Sequence, residues 1–238
     1  EIGYNLILVD IKLNKLKILK KQILKKKKNL KVLIFKIDVS NQKSVLNLSK
    51  KIVNRKIYLK VLVNNAAIDS KFKSNTLKGS SKFENTNLKD WKKHINVGLT
   101  GAMICSKFFG KILSKNRNGG IILNIASDLS VIAPNHSIYG KDQFKPIMYS
   151  VVKHGLIGLT KYIATYWHNK NVRCNALSPG PVLDNQSRLF INKLKKMIPL
   201  NRLANIDEYN EAIKFLCSDS SKYMTGQNII IDGGRSIW

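Results

Sequence analysis

The chain has 238 residues and a hydrophobic fraction of 44 %, enough for one large globular domain with a sizeable core. Its formal net charge is +28, yet the lysines are scattered, the longest run being Lys25 to Lys28, so a solvated surface is a better reading than the arginine- and aromatic-rich patch of a nucleic-acid binder. No apolar run is long enough to span a bilayer, no Cys/His cluster has metal spacing, and Cys105, Cys174 and Cys217 lie far apart, so a reduced cytoplasm is expected, with no membrane and no metal.

In chain order, Tyr4 to Asp10 (YNLILVD) is a short apolar run ending in an acid, and reads as a buried strand. Gly3 has the look of a helix C-cap, with Glu1-Ile2 as the tail of that helix. Ile11 to Lys28 repeats apolar residues with a helical period. Val32 to Ile37 is a second strand ending at Asp38-Val39, after which Ser40 or Asn41 is placed to cap a helix through Val45, Leu48 and Ile52. Leu59 to Val63 is a third strand, running into Asn64-Asn65-Ala66-Ala67. This alternation predicts an α/β fold, a Rossmann-like doubly wound parallel sheet in a single domain over 1–238. Ligands bind beyond the carboxyl ends of such strands, where Asp10, Asp38 and Asn64-Asn65 fall. In a dinucleotide fold the acid that meets the ribose lies about twenty residues after a Gly-rich phosphate loop. Only nine residues precede Asp10, so the chain is expected to be truncated, lacking its first strand, the Gly-rich turn and most of the first helix.

Residues 68 to 87 are polar, with Gly79, and read as a loop. Leu88 to Leu113 reads as one long helix with Asn96, a poor helix former, inside it. Gly119-Gly120 ends that segment, Ile121 to Ala126 is a fourth strand, and Ser127 follows at once. A loop over 128–146 precedes a helix running to about Lys170, and Val172 to Leu177 is a fifth strand ending in Ser178-Pro179-Gly180-Pro181-Val182. The polar segment 184–205 reads as a mobile flap, Asp207 as the cap of a helix through Leu216, and Asn228 to Ile231 as the last strand.

The helix after the loop carries Tyr149 and Lys153 at i and i+4, one turn apart on one face. A lysine ammonium beside a phenol favours the phenolate, which is what proton exchange near neutral pH requires of a tyrosine. His94 and His154 read instead as surface or packing histidines.

Taken together, Asp10, Asp38-Val39, Asn64-Asn65-Ala66-Ala67, Asn96, Ser127, Tyr149-x-x-x-Lys153 and Pro179-Gly180 resemble the motifs of the short-chain dehydrogenase/reductase family, in its single-domain branch. The resemblance covers the whole chain. The chain departs from the family pattern in lacking the N-terminal Gly-rich motif, in having Ala67 where glycine is usual, and in a long spacing of 22 residues from Ser127 to Tyr149.

The resemblance implies an NAD(P)-dependent oxidoreductase that interconverts a carbonyl and a secondary alcohol. In it Tyr149 would be the acid/base and Lys153 its electrostatic partner and a ribose ligand. Ser127 would hold the substrate oxygen, and Asn96 a water connecting Lys153 to solvent. Asp10, Asp38, Val39, Asn65, Ala66, Ala67, Pro179, Gly180 and Val182 would line the cofactor, together with Tyr149 and Lys153. The family also implies a homodimer or homotetramer formed through the two long helices. Asp10 would repel a 2′-phosphate, so NAD(H) is expected over NADP(H).

The stretch Ala126-Ser127-Asp128-Leu129 with YSVVKHGLIGLT from Tyr149 is similar to bacterial oxidoreductases of surface-polysaccharide and nonulosonic-acid (legionaminic-type) pathways. A sugar or sugar-nucleotide substrate follows from that likeness. It also follows from the polar loop, whose Asp128, Asn135, His136, Ser137, Tyr139, Lys141, Asp142 and Gln143 are expected to face a hydroxyl-rich ligand. The alternatives are a 3-oxoacyl-thioester reductase and an inactive, polyanion-binding fragment.

Overall fold

The computed structural model of the chain describes residues 3–68 and 82–238. The expected helix tail at Glu1-Ile2 and most of the expected loop at 68–87, with Gly79, lie outside the described residues. Gly3 itself has φ +78°, in the left-handed region that favours glycine.

Among the described residues, six strands and seven α-helices follow in order: β1 (Leu6–Asp10), α1 (Leu13–Lys26), β2 (Val32–Lys36), α2 (Gln42–Asn54), β3 (Val61–Asn64), α3 (Leu88–Ile95), α4 (Gly101–Leu113), β4 (Gly120–Ile125), α5 (Ile147–Tyr166), β5 (Val172–Pro179), α6 (Arg188–Lys195), α7 (Asn210–Leu216) and β6 (Asn228–Ile231). Every ladder is parallel. The spatial order is β2–β1 in one sheet and β3–β4–β5–β6 in the other, and no ladder joins β1 to β3 among the described residues. One pair of helices nevertheless covers both sheets. Val45, Leu48 and Ile52 of α2 and Ile104, Cys105 and Phe109 of α4 form a buried cluster against which Ile7, Val9, Phe35 and Leu62 pack.

Successive side chains of β4 point to opposite faces. Ile122 enters a cluster with Leu113 of α4 and Ile163 of α5, while Leu123 joins Leu216 and Cys217 at the end of α7. β4 and β5 are therefore buried nearly throughout, whereas β1 and β3 are only half-buried. No described helix is long and apolar enough to cross a membrane.

Several expected boundaries shift for local reasons. Asn41, not Ser40, caps α2, its side chain accepting from Ser44 N at 3.0 Å. The long helix is interrupted at Asn96–Thr100 by a π-helical turn, in which Gly101 N–H donates to Asn96 O five residues back. The fifth strand continues to Pro179, because Ile231 of β6 still pairs with it there.

The helix before β6, α7, does not begin at an Asp207 cap. Its first turn, Ile206–Tyr209, is fixed by Glu208, which accepts from the Asn205 N–H at 2.7 Å. The 184–205 segment is not a bare flap either. It contains α6, and Leu194, Ile198 and Leu203 form a buried cluster with Ile138 of the 128–146 loop. Phe190, Ile191, Leu194, Met197 and Ile198 recur there at helical spacing, a signal that the polar residues between them mask.

Candidate active site

The carboxyl ends of β4 and β5 carry the chemistry-bearing residues. Ala126 N–H donates to Leu177 O at 2.7 Å, extending the β4–β5 ladder one step past the strand, and Ser127 follows in extended conformation. Ser127 is 7 % exposed. Helix α5 begins directly after Pro146, whose fixed φ suits a helix start, and Tyr149 sits in its first turn. One turn on, the Lys153 ammonium is buried and donates to Ile125 O, the last carbonyl of β4, at 2.9 Å. Its Nζ lies 5.6 Å from the Tyr149 ring centroid. A second ammonium, Lys145 Nζ, lies over the same ring at 3.7 Å. Sequence reasoning misses Lys145, because the helix starts after it and helical spacing does not apply.

α5 and the π turn approach closely. A β-carbon at Gly98 would lie 2.6 Å from Val152 Cγ1, and one at Gly155 would lie 2.7 Å from Leu99 Cδ2, so a larger residue at either place would push the facing side chain aside. This crossing sets the Asn96 turn beside α5, with Asn96 itself exposed. Ser127, Tyr149, Lys153 and the Asn96 turn are thus held by one strand end and one helix crossing.

Several residues expected to line a cofactor lie along the other strand ends. Asp10 is exposed, and its Oδ1 accepts from Lys12 N at 2.7 Å. Asp38 is exposed and accepts from Ser40 N and Oγ at 2.9 and 2.6 Å. Asn65, Ala66 and Ala67 are exposed and uncharged just past β3, which suits the close approach of a dinucleotide.

Other expected members look inward. Val39 packs against the α2–α4 cluster. Asn64 donates to Asn124 Oδ1 at 2.8 Å and to Ser106 Oγ at 3.1 Å, part of a buried amide ladder that continues from Asn124 to Thr160. Gly180 donates to Ile231 O at 2.8 Å, and a β-carbon there would lie 2.5 Å from Asp232 Cα. Its missing side chain therefore already answers to the chain after β6. Val182 bridges to Ala204.

The 128–146 loop departs most from expectation. Asp128 is buried against Arg235 rather than facing a ligand. Asn135 Oδ1 accepts from Ser137 N and Oγ at 2.9 and 2.7 Å. His136 packs edge-on to Phe144, Tyr139 lies 5.4 Å from the Phe190 ring, and Asp142 meets Lys82 at 2.8 Å. The loop folds into two short 3₁₀ turns, and each turn draws polar side chains onto its own backbone. Beside it a cavity of about 300 Å³ opens between Ile132, Ala133, Lys196, Met197, Arg235 and Trp238.

A parallel sheet with a Ser–Tyr–Lys set at its carboxyl edge defines a class, and sequence comparison agrees. Residues 1–236 match the family model described as Enoyl-(Acyl carrier protein) reductase. The chain belongs to the short-chain dehydrogenase/reductase family and is an NAD(P)-dependent oxidoreductase. It is 30 % identical to the post-translational flagellin modification protein A of Campylobacter coli, over 96 % of this chain and 87 % of that one. It is 32 % identical to the 3-oxoacyl-[acyl-carrier-protein] reductase FabG of Thermotoga maritima, over 84 % and 76 %. Its fold matches a short-chain dehydrogenase of Leptospira borgpetersenii with bound NAD+, with a TM-score of 0.82, 26 % identity and coverage of 98 % and 93 %.

Proposed function

We propose that the protein interconverts a ketone and a secondary alcohol on a sugar or sugar-nucleotide derivative, with NAD(H) preferred over NADP(H), in surface-glycan synthesis in the cytoplasm. The observation that carries the reaction is the shared anchoring of Ser127 and Lys153 at the end of β4, with Tyr149 one helical turn from Lys153.

A bound nicotinamide cofactor supplies or accepts the hydride. Tyr149 gives its phenolic proton to the substrate oxygen in reduction and takes it back in oxidation. The ammonium groups of Lys153 and Lys145 stabilise the negative charge left on the phenol. Ser127 holds the substrate oxygen, and Asn96 holds a water that connects Lys153 to solvent. Asp10, Asp38 and the Asn65-Ala66-Ala67 stretch would hold the adenosine half of the cofactor, with Val39 packed behind them, and Pro179, Gly180 and Val182 would lie beside the nicotinamide half. Asp10, left exposed at the end of β1, favours a free 2′-OH over a 2′-phosphate.

The sugar reading is supported by the flagellin-modification relative and by the D-threitol dehydrogenase of Mycolicibacterium smegmatis, 31 % identical over 65 % of this chain. The loop supports it less, since many of its polar groups are engaged within the protein. That engagement, with the FabG relative, favours a second reading, reduction of a 3-oxoacyl thioester. A panel of amino- and deoxy-sugar ketones against acetoacetyl thioesters, assayed with NADH and NADPH, separates the two. Turnover of sugars is the expected result, and faster thioester reduction would replace the first reading with the second.

A further inference from the structure

The cavity beside the 128–146 loop has no part in the proton chemistry at Tyr149, yet three separate stretches of chain build it. Ile132 and Ala133 come from the loop, Lys196 and Met197 from just past α6, and Arg235 and Trp238 from the segment after β6. Its volume of about 300 Å³ is at the low end for ligand pockets, so it suits one part of a ligand rather than a whole one.

Two cations and one aromatic ring set its chemistry. Arg235 is 7 % exposed, and its Nη1 donates to Asp128 Oδ2. Its Nε is buried and has no hydrogen-bond partner among the described residues. An unmatched guanidinium N–H is costly, and the oxygen of an anion is the partner that suits it best. Lys196 is exposed and brings a second cation to the same wall. Asp128 and Asp232, the acids that flank Arg235, are already engaged. Asp128 also accepts from Leu129 N at 2.8 Å, and Asp232 accepts from Gly234 N at 2.9 Å and Ser236 N at 2.7 Å. Trp238 is 79 % exposed, a large flat ring held open beside the cations. Cations for phosphate oxygens and a ring for a base are what a nucleotide needs from a protein. The cavity also lies next to the reacting centre, because Arg235 on its wall pairs with Asp128, the residue after Ser127.

We propose that this cavity holds the nucleoside diphosphate of a sugar-nucleotide substrate. Lys196 and Arg235 take the diphosphate, Trp238 stacks on the base, and the sugar ketone reaches back to Ser127 and Tyr149. This rests on the proposed ketone–alcohol reaction on a sugar, and narrows its substrate from sugars in general to those carried on a nucleotide.

The test compares the best sugar ketone of the panel above in free, UDP-linked and GDP-linked form. At saturating cofactor, kcat and KM are measured for the unmodified protein, Trp238→Ala, Lys196→Gln and the double variant. Both side chains are exposed, so the fold is expected to survive, and thermal melts check it. One linked form is expected to have a KM at least about tenfold below that of the free ketone, the factor a stacked base or a charged phosphate contact carries. The double variant is expected to abolish most of that advantage while leaving KM for the free ketone unchanged, and Lys196→Arg to retain it. The matching free nucleoside diphosphate is expected to inhibit competitively against the linked sugar and not against NADH, which separates this cavity from the cofactor site. Equal KM for free and linked ketones, an advantage that survives in the double variant, or inhibition competitive with NADH alone overturns the inference and leaves the sugar reaction standing. Turnover of acetoacetyl thioesters with none of any sugar, free or linked, overturns the reading and the inference together.

Discussion

Tyr149 has two ammonium groups near its ring, Lys153 from one turn ahead and Lys145 from just before the helix. Removing the hydroxyl while keeping the ring should remove proton transfer and little else. Tyr149→Phe is expected to lower kcat by at least about a hundredfold, the range general acid–base groups supply, with NADH affinity kept. Near-normal turnover in stopped-flow assays would exclude Tyr149 as the acid. At the end of β1, Asp10 is expected to give a kcat/KM ratio favouring NAD(H), and Asp10→Ser to shift that ratio toward NADP(H) as the carboxylate repulsion is lost. An NADP(H) preference in the unmodified protein would overturn the assignment.

Tyr149, Lys153 and Ser127 are legible from the chain because each is fixed locally, by helical spacing or by directly ending an apolar strand. The burial of Asp128 is not legible, because Arg235 lies 107 positions away and nothing in a linear pattern reports that distance. Asn64 misleads for a related reason. It stands at a strand end like its neighbour Asn65, yet cross-strand pairing with Asn124 turns it inward.

At the level of elements, α5 presents two faces of different character. Its inner face carries Val152, Lys153, Leu156 and Ile163 into the protein. Its outer face leaves Val151, Tyr162 and Tyr166 exposed, with the two tyrosine rings stacked at 5.8 Å and open space at Gly158 between them and Val151. An apolar stripe with a bare glycine lets a second helix approach closely, which supports assembly of copies through this face. Gly158→Arg or Tyr162→Lys is expected to shift the protein to monomer in light scattering coupled to size exclusion, and an unchanged mass would place the interface elsewhere.

The start of α7 has its own pH signature. Arg202, and then the Asn205 N–H, hold the Glu208 carboxyl at about 2, below the ordinary 4.5. A depressed carboxylate stabilises the fold above its unfolded value and loses that contribution as pH falls through its folded value. The melting-temperature gap between Glu208→Gln and the unmodified protein is therefore expected to be full at pH 7 and to shrink from about pH 4.5 downward. A gap constant down to pH 2 would deny Glu208 this role. Helix and strand existence is largely legible from periodicity, whereas the π turn and the packed 184–205 segment are not. The π turn keeps helical dihedrals at Asn96, and the packed segment depends on distant Ile138.

For the molecule as a whole, the net charge of +28 has a consequence for behaviour in solution. Copies that each carry it repel one another. Repulsion of that kind reaches about 8 Å at physiological ionic strength and only about 3 Å in molar salt. The exposed stripe of Val151, Tyr162 and Tyr166 on α5 should therefore meet its counterpart on another copy more readily as salt rises. The mean mass in light scattering is expected to grow from dilute buffer to molar sodium chloride, and Tyr162→Lys to suppress that growth at equal salt. A mass independent of salt would mean that self-association does not depend on the lysines.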